Sequence, residues 1–88
     1  MELQEELTKL SETLKQQRDE IRLQIHLATA DLKDEWEDSE REWDHFKGKF
    51  AEIIDESKET TAEFLEKTRI VGEELKIAYK TIQKRLTS

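Results

Sequence analysis

The chain has 88 residues, of which 34% are hydrophobic and 42% charged, and its 15 basic and 22 acidic residues leave a net charge of −7. That length holds one domain, and the negative balance argues against general affinity for nucleic acid or anionic lipid. Cys and Pro are absent and Gly occurs only at positions 48 and 72, which excludes a disulfide framework and a thiolate metal site and leaves little for the turns of a β-rich fold.

The N-terminal stretch Met1-Glu2-Leu3-Gln4-Glu5-Glu6 is acidic and lacks the basic segment and apolar core of a signal peptide. No apolar run approaches the ~20 residues needed to span a bilayer. The expected location is therefore the cytoplasm.

From the first leucine onward, apolar residues recur at helical spacing. The stripe runs through Leu3, Leu7, Leu10, Leu14, Ile21, Ile25, Ala28, Leu32 and Trp36. It continues through Trp43, Phe46, Phe50, Ile53, Phe64, Val71, Leu75, Ala78, Ile82 and Leu86. Such spacing places them on one helical face, and strand-like alternation is absent. An eleven-residue period is superimposed: Leu3, Leu14, Ile25 and Trp36; Leu10, Ile21, Leu32, Trp43, Ile54 and Leu65; Ile53, Phe64, Leu75 and Leu86. At about 3.67 residues per turn this predicts nearly straight helices rather than a left-handed coiled coil.

The fold class is all-α, a single domain over residues 1–88. The favoured arrangement is a long antiparallel hairpin with helices over about 2–47 and 50–87 and a turn near Gly48. Gly can take the left-handed conformation that ends a helix, His45 and Lys47 suit a last turn, and Glu52, Asp55 and Glu56 suit a new first turn. Thr60-x-x-Glu63 and Ser39-x-x-Glu42 read as competing capping boxes. A hairpin would set Glu2, Glu5 and Glu6 beside Lys80, Lys84 and Arg85. A single long helix in an antiparallel coiled coil satisfies the same charges, and a three-helix arrangement is the remaining alternative. Helices of ~40–45 residues would be roughly 60–70 Å long.

Two helices cannot surround a core, and a short chain with a thin stripe needs a staple or a second copy. Without Cys, a homo-oligomer is expected, most simply a dimer of hairpins forming a four-helix bundle. Its interface would comprise Leu10, Leu14, Ile21, Ile25, Leu32, Trp36, Trp43, Phe46, Phe50, Phe64, Val71, Leu75 and Ile82. Aromatic residues on such a face are packing anchors and also what interfaces prefer. Gly72 within a helical pattern costs about 1 kcal/mol relative to Ala, so close helix approach is its expected purpose.

The acidic segment 31–44 holds eight carboxylates and two bases. Asp31/Glu35, Asp34/Asp38, Asp38/Glu42 and Glu40/Asp44 are like-charge pairs one helical turn apart, each slightly destabilising. The plain explanation is a solvated face. The sharper one is a docking face for a basic protein partner or a cation, built on Asp34, Glu35, Asp38 and Glu42. Glu42-x-x-His45 is the one metal-like spacing, the motif that ferritin-like bundles use, but in so acidic a segment a chance match is easy, so no metal or other cofactor is assigned. His26 reads as a surface or boundary histidine. The run Lys76-x-x-x-Lys80-x-x-x-Lys84-Arg85 with Tyr79 is basic and amphipathic. It could lie on a membrane surface or touch nucleic acid, but neutralising acidic neighbours in the same assembly is the simpler role. No nucleophile constellation or phosphate loop is present, so no enzymatic activity is expected.

Residues 18–28, with Asp34-Glu35-Trp36-Glu37, Glu42-Trp43-Asp44-His45-Phe46, Glu73-Glu74-Leu75-Lys76 and Tyr79-Lys80, look like a group of small uncharacterised bacterial helical proteins, described as apolipoprotein-like for their amphipathic repeats. The resemblance covers about half the chain and implies a bacterial helical protein with no activity attached to it. The expected function is a non-enzymatic, self-associating helical scaffold or protein-interaction module. An amphipathic lipid-surface binder and a ferritin-like metal bundle using Glu42 and His45 are the alternatives.

Overall fold

A computed structural model describes residues 3–55 and 59–87, and every regular element among them is helical. Helix α1 spans Leu3–Gln24, with Glu5 and Glu6 in its first turn and Arg22 in its last, each on the favourable side of the helix dipole. One turn of 3-10 helix follows, Ile25–Leu27, closed by the Ala28 N–H donating to the Ile25 carbonyl at 3.0 Å. Ala28 and Thr29 are extended, with φ/ψ of −82°/159° and −68°/166°, and reverse the chain. Helix α2 spans Ala30–Ile54 and starts on an N-cap, the Thr29 hydroxyl accepting the Leu32 N–H at 3.3 Å. It ends at Asp55. Helix α3 spans Ala62–Thr87, and the Thr61 hydroxyl accepts the Phe64 N–H at 3.1 Å. Both caps satisfy a donor that the first helical turn leaves free.

The all-α class holds, but the chain does not turn at Gly48. That residue lies inside α2, and no glycine has a positive φ. The physical reason is the apolar phase. Phe46 and Ile53 are buried and Phe50 packs against them, so a reversal at Gly48 would tear one face of the core in two. The chain reverses on either side of α2 instead. Thr61, next to the expected Thr60, is the cap. Ser39 starts no helix; it sits buried within α2, its hydroxyl donating to the Trp36 carbonyl at 2.7 Å. Asp55 closes α2 rather than opening a helix, while Glu56 lies outside the described residues.

Helix α3 packs against both α1 and α2. The bidentate Arg18–Glu40 pair ties α1 to α2. Trp36 against Tyr79, 6.0 Å between ring centroids, and Phe46 beside Gly72 set α3 antiparallel to α2. The Gln83 amide, donating to Glu20 at 3.0 Å, and Leu10 beside Gly72 set α3 parallel to α1. The bundle measures 43 × 20 × 18 Å, shorter than the expected hairpin because each helix is about half the length assumed.

Three helices enclose what two cannot. The eleven-residue series Leu10, Ile21, Leu32, Trp43 is buried throughout, and Leu7, Leu14, Phe46, Ile53, Leu75, Tyr79 and Ile82 complete the core. With three elements, α1 and α3 run in the same direction. Glu6 therefore lies with Arg69 and Lys76, not beside Lys80, Lys84 and Arg85 as a hairpin would require. Glu2 is outside the described residues.

Candidate interaction surface

Of the residues expected to form a self-association interface, Leu10, Leu14, Ile21, Leu32, Trp43, Phe46, Leu75 and Ile82 are buried within the single chain. Ile25, Trp36, Phe50, Phe64 and Val71 are half-buried against that core. The aromatic residues act as packing anchors: Phe46 stacks between Trp43 and Phe50 at 6.1 and 6.0 Å, and the Arg18 guanidinium lies 5.7 Å from the Trp43 ring centroid. Tyr79 turns inward and is fully buried rather than joining the basic face. Its hydroxyl and the Gln17 Oε1 are buried without a hydrogen-bond partner. Burial raises the Tyr79 phenol well above its ordinary value, with the Glu40 carboxylate acting in the same direction.

The acidic residues form one wall of a groove between α2 and α3. Glu35, Asp38 and Glu42 face Glu74 and Ala78 across a space of about 360 Å³, and Asp34 is exposed on α2. Part of this charge is answered within the chain. Arg85 pairs with Glu35, and within α2 Arg41 pairs with Asp38, so Arg85, at the basic end of α3, neutralises one acidic neighbour. His45 and Glu42 are both exposed on α2. Among the described residues no group of three or more His, Asp or Glu side chains is placed to hold a metal ion. His26 is exposed in the 3-10 turn. No helix among the described residues is long and apolar enough to cross a membrane.

The opposite groove, between α1 and α3, has a different chemistry. It encloses about 700 Å³ and is lined by Ile21, Leu23, Ile77 and Leu86, with Lys80 and Lys84 along the α3 edge and Glu20 on α1. Leu23 is 75% exposed, Ile77 is 64% exposed, and Leu27, four residues beyond Leu23, is 77% exposed. Scattered apolar residues on a surface are ordinary; Leu23 and Ile77, gathered on a concave, basic-edged trough, form a patch. Leu23, Leu27 and Ile77 were absent from the expected interface because they lie off the apolar stripe of three- and four-residue steps. That displacement is itself the signal: a large apolar residue out of phase with a helix's buried face must end on its solvent side.

The chain was compared with protein-family models, with curated proteins and with solved structures, and none of the three matches it.

Proposed function

We propose that this protein is a non-enzymatic interaction module whose α1/α3 groove receives an amphipathic helix bearing carboxylates along one edge. The observation that carries this reading is the exposure of Leu23 and Ile77 in a groove edged by Lys80 and Lys84. Magnitudes favour this groove over the acidic one. Fully burying a Leu or Ile side chain contributes ~1.5–3 kcal/mol, whereas an exposed ion pair contributes about 0–1 kcal/mol. The acidic α2/α3 groove offers no large apolar side chain that is not already buried; its Leu75 and Ile82 belong to the core. The overall charge of −7 does not repel an acidic helix strongly here, because fields are screened over about 8 Å in physiological salt and Lys80 and Lys84 outnumber Glu20 among the charges lining the groove.

A lipid surface is the competing occupant, and it would meet a flat or convex apolar face better than a trough between two helices. A synthetic peptide with Leu on one helical face and Glu along its edge separates the two. Calorimetry should show binding, and amide shifts on adding the peptide should centre on Leu23, Ile77, Lys80 and Lys84. Leu23→Ser and Ile77→Ser should each weaken binding about tenfold, the equivalent of ~1.4 kcal/mol. Peptide affinity indifferent to both substitutions would remove the groove from consideration. Groove-dependent binding to phosphatidylglycerol vesicles, with no peptide binding, would give the site to a membrane surface.

A further inference from the structure

We infer that two copies of this chain can pair by exchanging α1, with the corner at residues 25–29 opening so that α1 and α2 become one continuous helix. This is independent of the groove and differs from a dimer of hairpins, because the pairing surface is the buried face of α1 itself.

The corner carries no break in apolar phase. Leu14, Ile21 and Ile25 before it and Ala28, Leu32 and Trp36 after it fall within an arc of roughly 100° on a straight helix with 3.6 residues per turn. A chain that must always bend here would gain from a phase slip, a Gly or a Pro. None is present between Gln24 and Ala30. The bend is held by one backbone hydrogen bond, Ala28 N–H to the Ile25 carbonyl at 3.0 Å, and one side-chain cap, Thr29 to the Leu32 N–H at 3.3 Å. Straightening would replace these with a regular helical ladder.

Exchange also preserves what α1 touches. In the closed chain, Arg18 reaches Glu40 with hydrogen bonds of 2.6 and 2.9 Å, and Leu10 meets Gly72, where Phe46 also approaches. A two-fold axis through the straightened corner lets α1 of each copy make these same contacts with α2 and α3 of the other. The closed and exchanged forms then share one core, and concentration decides between them through the entropy of association.

Ala30→Pro discriminates between the forms. Thr29, at φ −68° and ψ 166°, already has the extended conformation required of a residue before proline. Position 30 is the first helical residue of α2, where proline fits without losing a hydrogen bond. In a continuous helix the same proline breaks the ladder and clashes with the preceding turn. The protein should be annealed by heating and cooling at micromolar to millimolar concentration, then weighed by light scattering. The wild type should yield a dimer fraction that rises with concentration. Ala30→Pro should keep its helicity by circular dichroism and lose at least about a hundredfold in dimerisation constant. A second experiment uses Arg18→Glu and Glu40→Arg. Alone, each sets like charges against each other. Mixed, an exchanged dimer restores both opposite-charge pairs, and heterodimers should form about tenfold more tightly than either homodimer. A wild type that stays monomeric at millimolar concentration overturns the inference. So does an Ala30→Pro protein that dimerises like the wild type or loses its helicity. A mixture no more dimeric than its components also overturns it. If either charge-reversed chain fails to fold, Ala30→Pro decides alone, since residue 30 is exposed.

Discussion

Adding one methyl group at each of the two glycines should move stability in opposite directions. Both sit inside helices, Gly48 in α2 and Gly72 in α3, so Ala at either gains about 1 kcal/mol of helix propensity. At Gly48 a Cβ would have no neighbour within 4 Å, and the full gain should appear. At Gly72 a Cβ would lie 2.5 Å from Leu10 Cδ2 and 2.8 Å from Phe46 Cε1. Leu10 Cδ2 is the tip of a flexible side chain beside an open groove, but the Phe46 ring has no room to yield. Leu10 is buried on α1, and Phe46 is fully buried between the Trp43 and Phe50 rings. Overpacking of this kind costs about 1–3 kcal/mol, and because the fully buried Phe46 ring must be displaced the upper half of that range applies. Net of propensity, Gly72→Ala should lose ~1–2 kcal/mol. For a domain of this size about 4–8 °C accompanies each kcal/mol, so its melting temperature should fall by roughly 5–15 °C, whereas Gly48→Ala should rise by a few degrees. Thermal and urea melts followed by circular dichroism measure both, with an unchanged urea slope confirming that stability alone has moved. A Gly72→Ala protein melting at or above the wild type would refute the three-helix contact on which the calculation rests.

Arg18 and Glu40 form a bidentate pair with side-chain exposures of 21% and 30%. The Glu40 hydrogen bonds hold the guanidinium above its ordinary pKa despite opposing desolvation. Partial solvation discounts a charge-assisted pair, so Arg18→Met should lose about 1 kcal/mol, and a double-mutant cycle with Glu40→Gln should return most of that as coupling. Tyr79→Phe removes a buried hydroxyl without a partner, so urea melts at neutral pH should show unchanged or slightly higher stability. The same residue governs the alkaline limb. Its folded phenol keeps its proton above the ordinary value of about 10, where the unfolded chain gives it up, so stability is full below that pH and falls as pH rises beyond it. Urea melts as a function of pH should show this decline in the wild type and a shallower one in Tyr79→Phe.

The buried face was legible in the sequence and the corners were not. Leu10, Ile21, Leu32 and Trp43 follow the eleven-residue period and are all in the core. The period lapses at Ile54, the exposed last residue of α2. The first corner is hidden for a physical reason. Thr29 caps α2 without an acidic residue three positions on, so it forms no capping box, and the apolar phase passes through it unchanged. Gly48 misleads in the opposite sense. A glycine marks a turn only when its φ is positive, and neither glycine's is. Once the number of helices is miscounted, directions follow incorrectly: two helices put Glu5 and Glu6 beside Lys84, three put Glu6 with Arg69. The acidic side of the candidate surface was legible as a charge run, whereas the α1/α3 groove depends on which residues of two sequence-distant helices share a level, and that follows only from the packing.

The groove and the core can be separated experimentally because they draw on different apolar residues. Leu23 and Leu27 are 75% and 77% exposed, so the folded chain gains little from either, and polar replacement away from packed features shifts stability by only about 0.5 kcal/mol. Leu14 and Ile21, on the same helix but on the stripe, are essentially inaccessible, and truncating such a residue to Ala costs ~2–5 kcal/mol. Leu23→Gln combined with Leu27→Gln should therefore leave the melting temperature within a few degrees of wild type and weaken binding of the Leu/Glu peptide at least tenfold through Leu23, which lines the groove. A loss of stability approaching that of Leu14→Ala would mean that the two leucines hold the corner closed and belong to the fold. Unchanged stability with unchanged peptide binding would detach them from both roles. Only lost binding on an intact bundle makes this pair of leucines a surface kept for a partner.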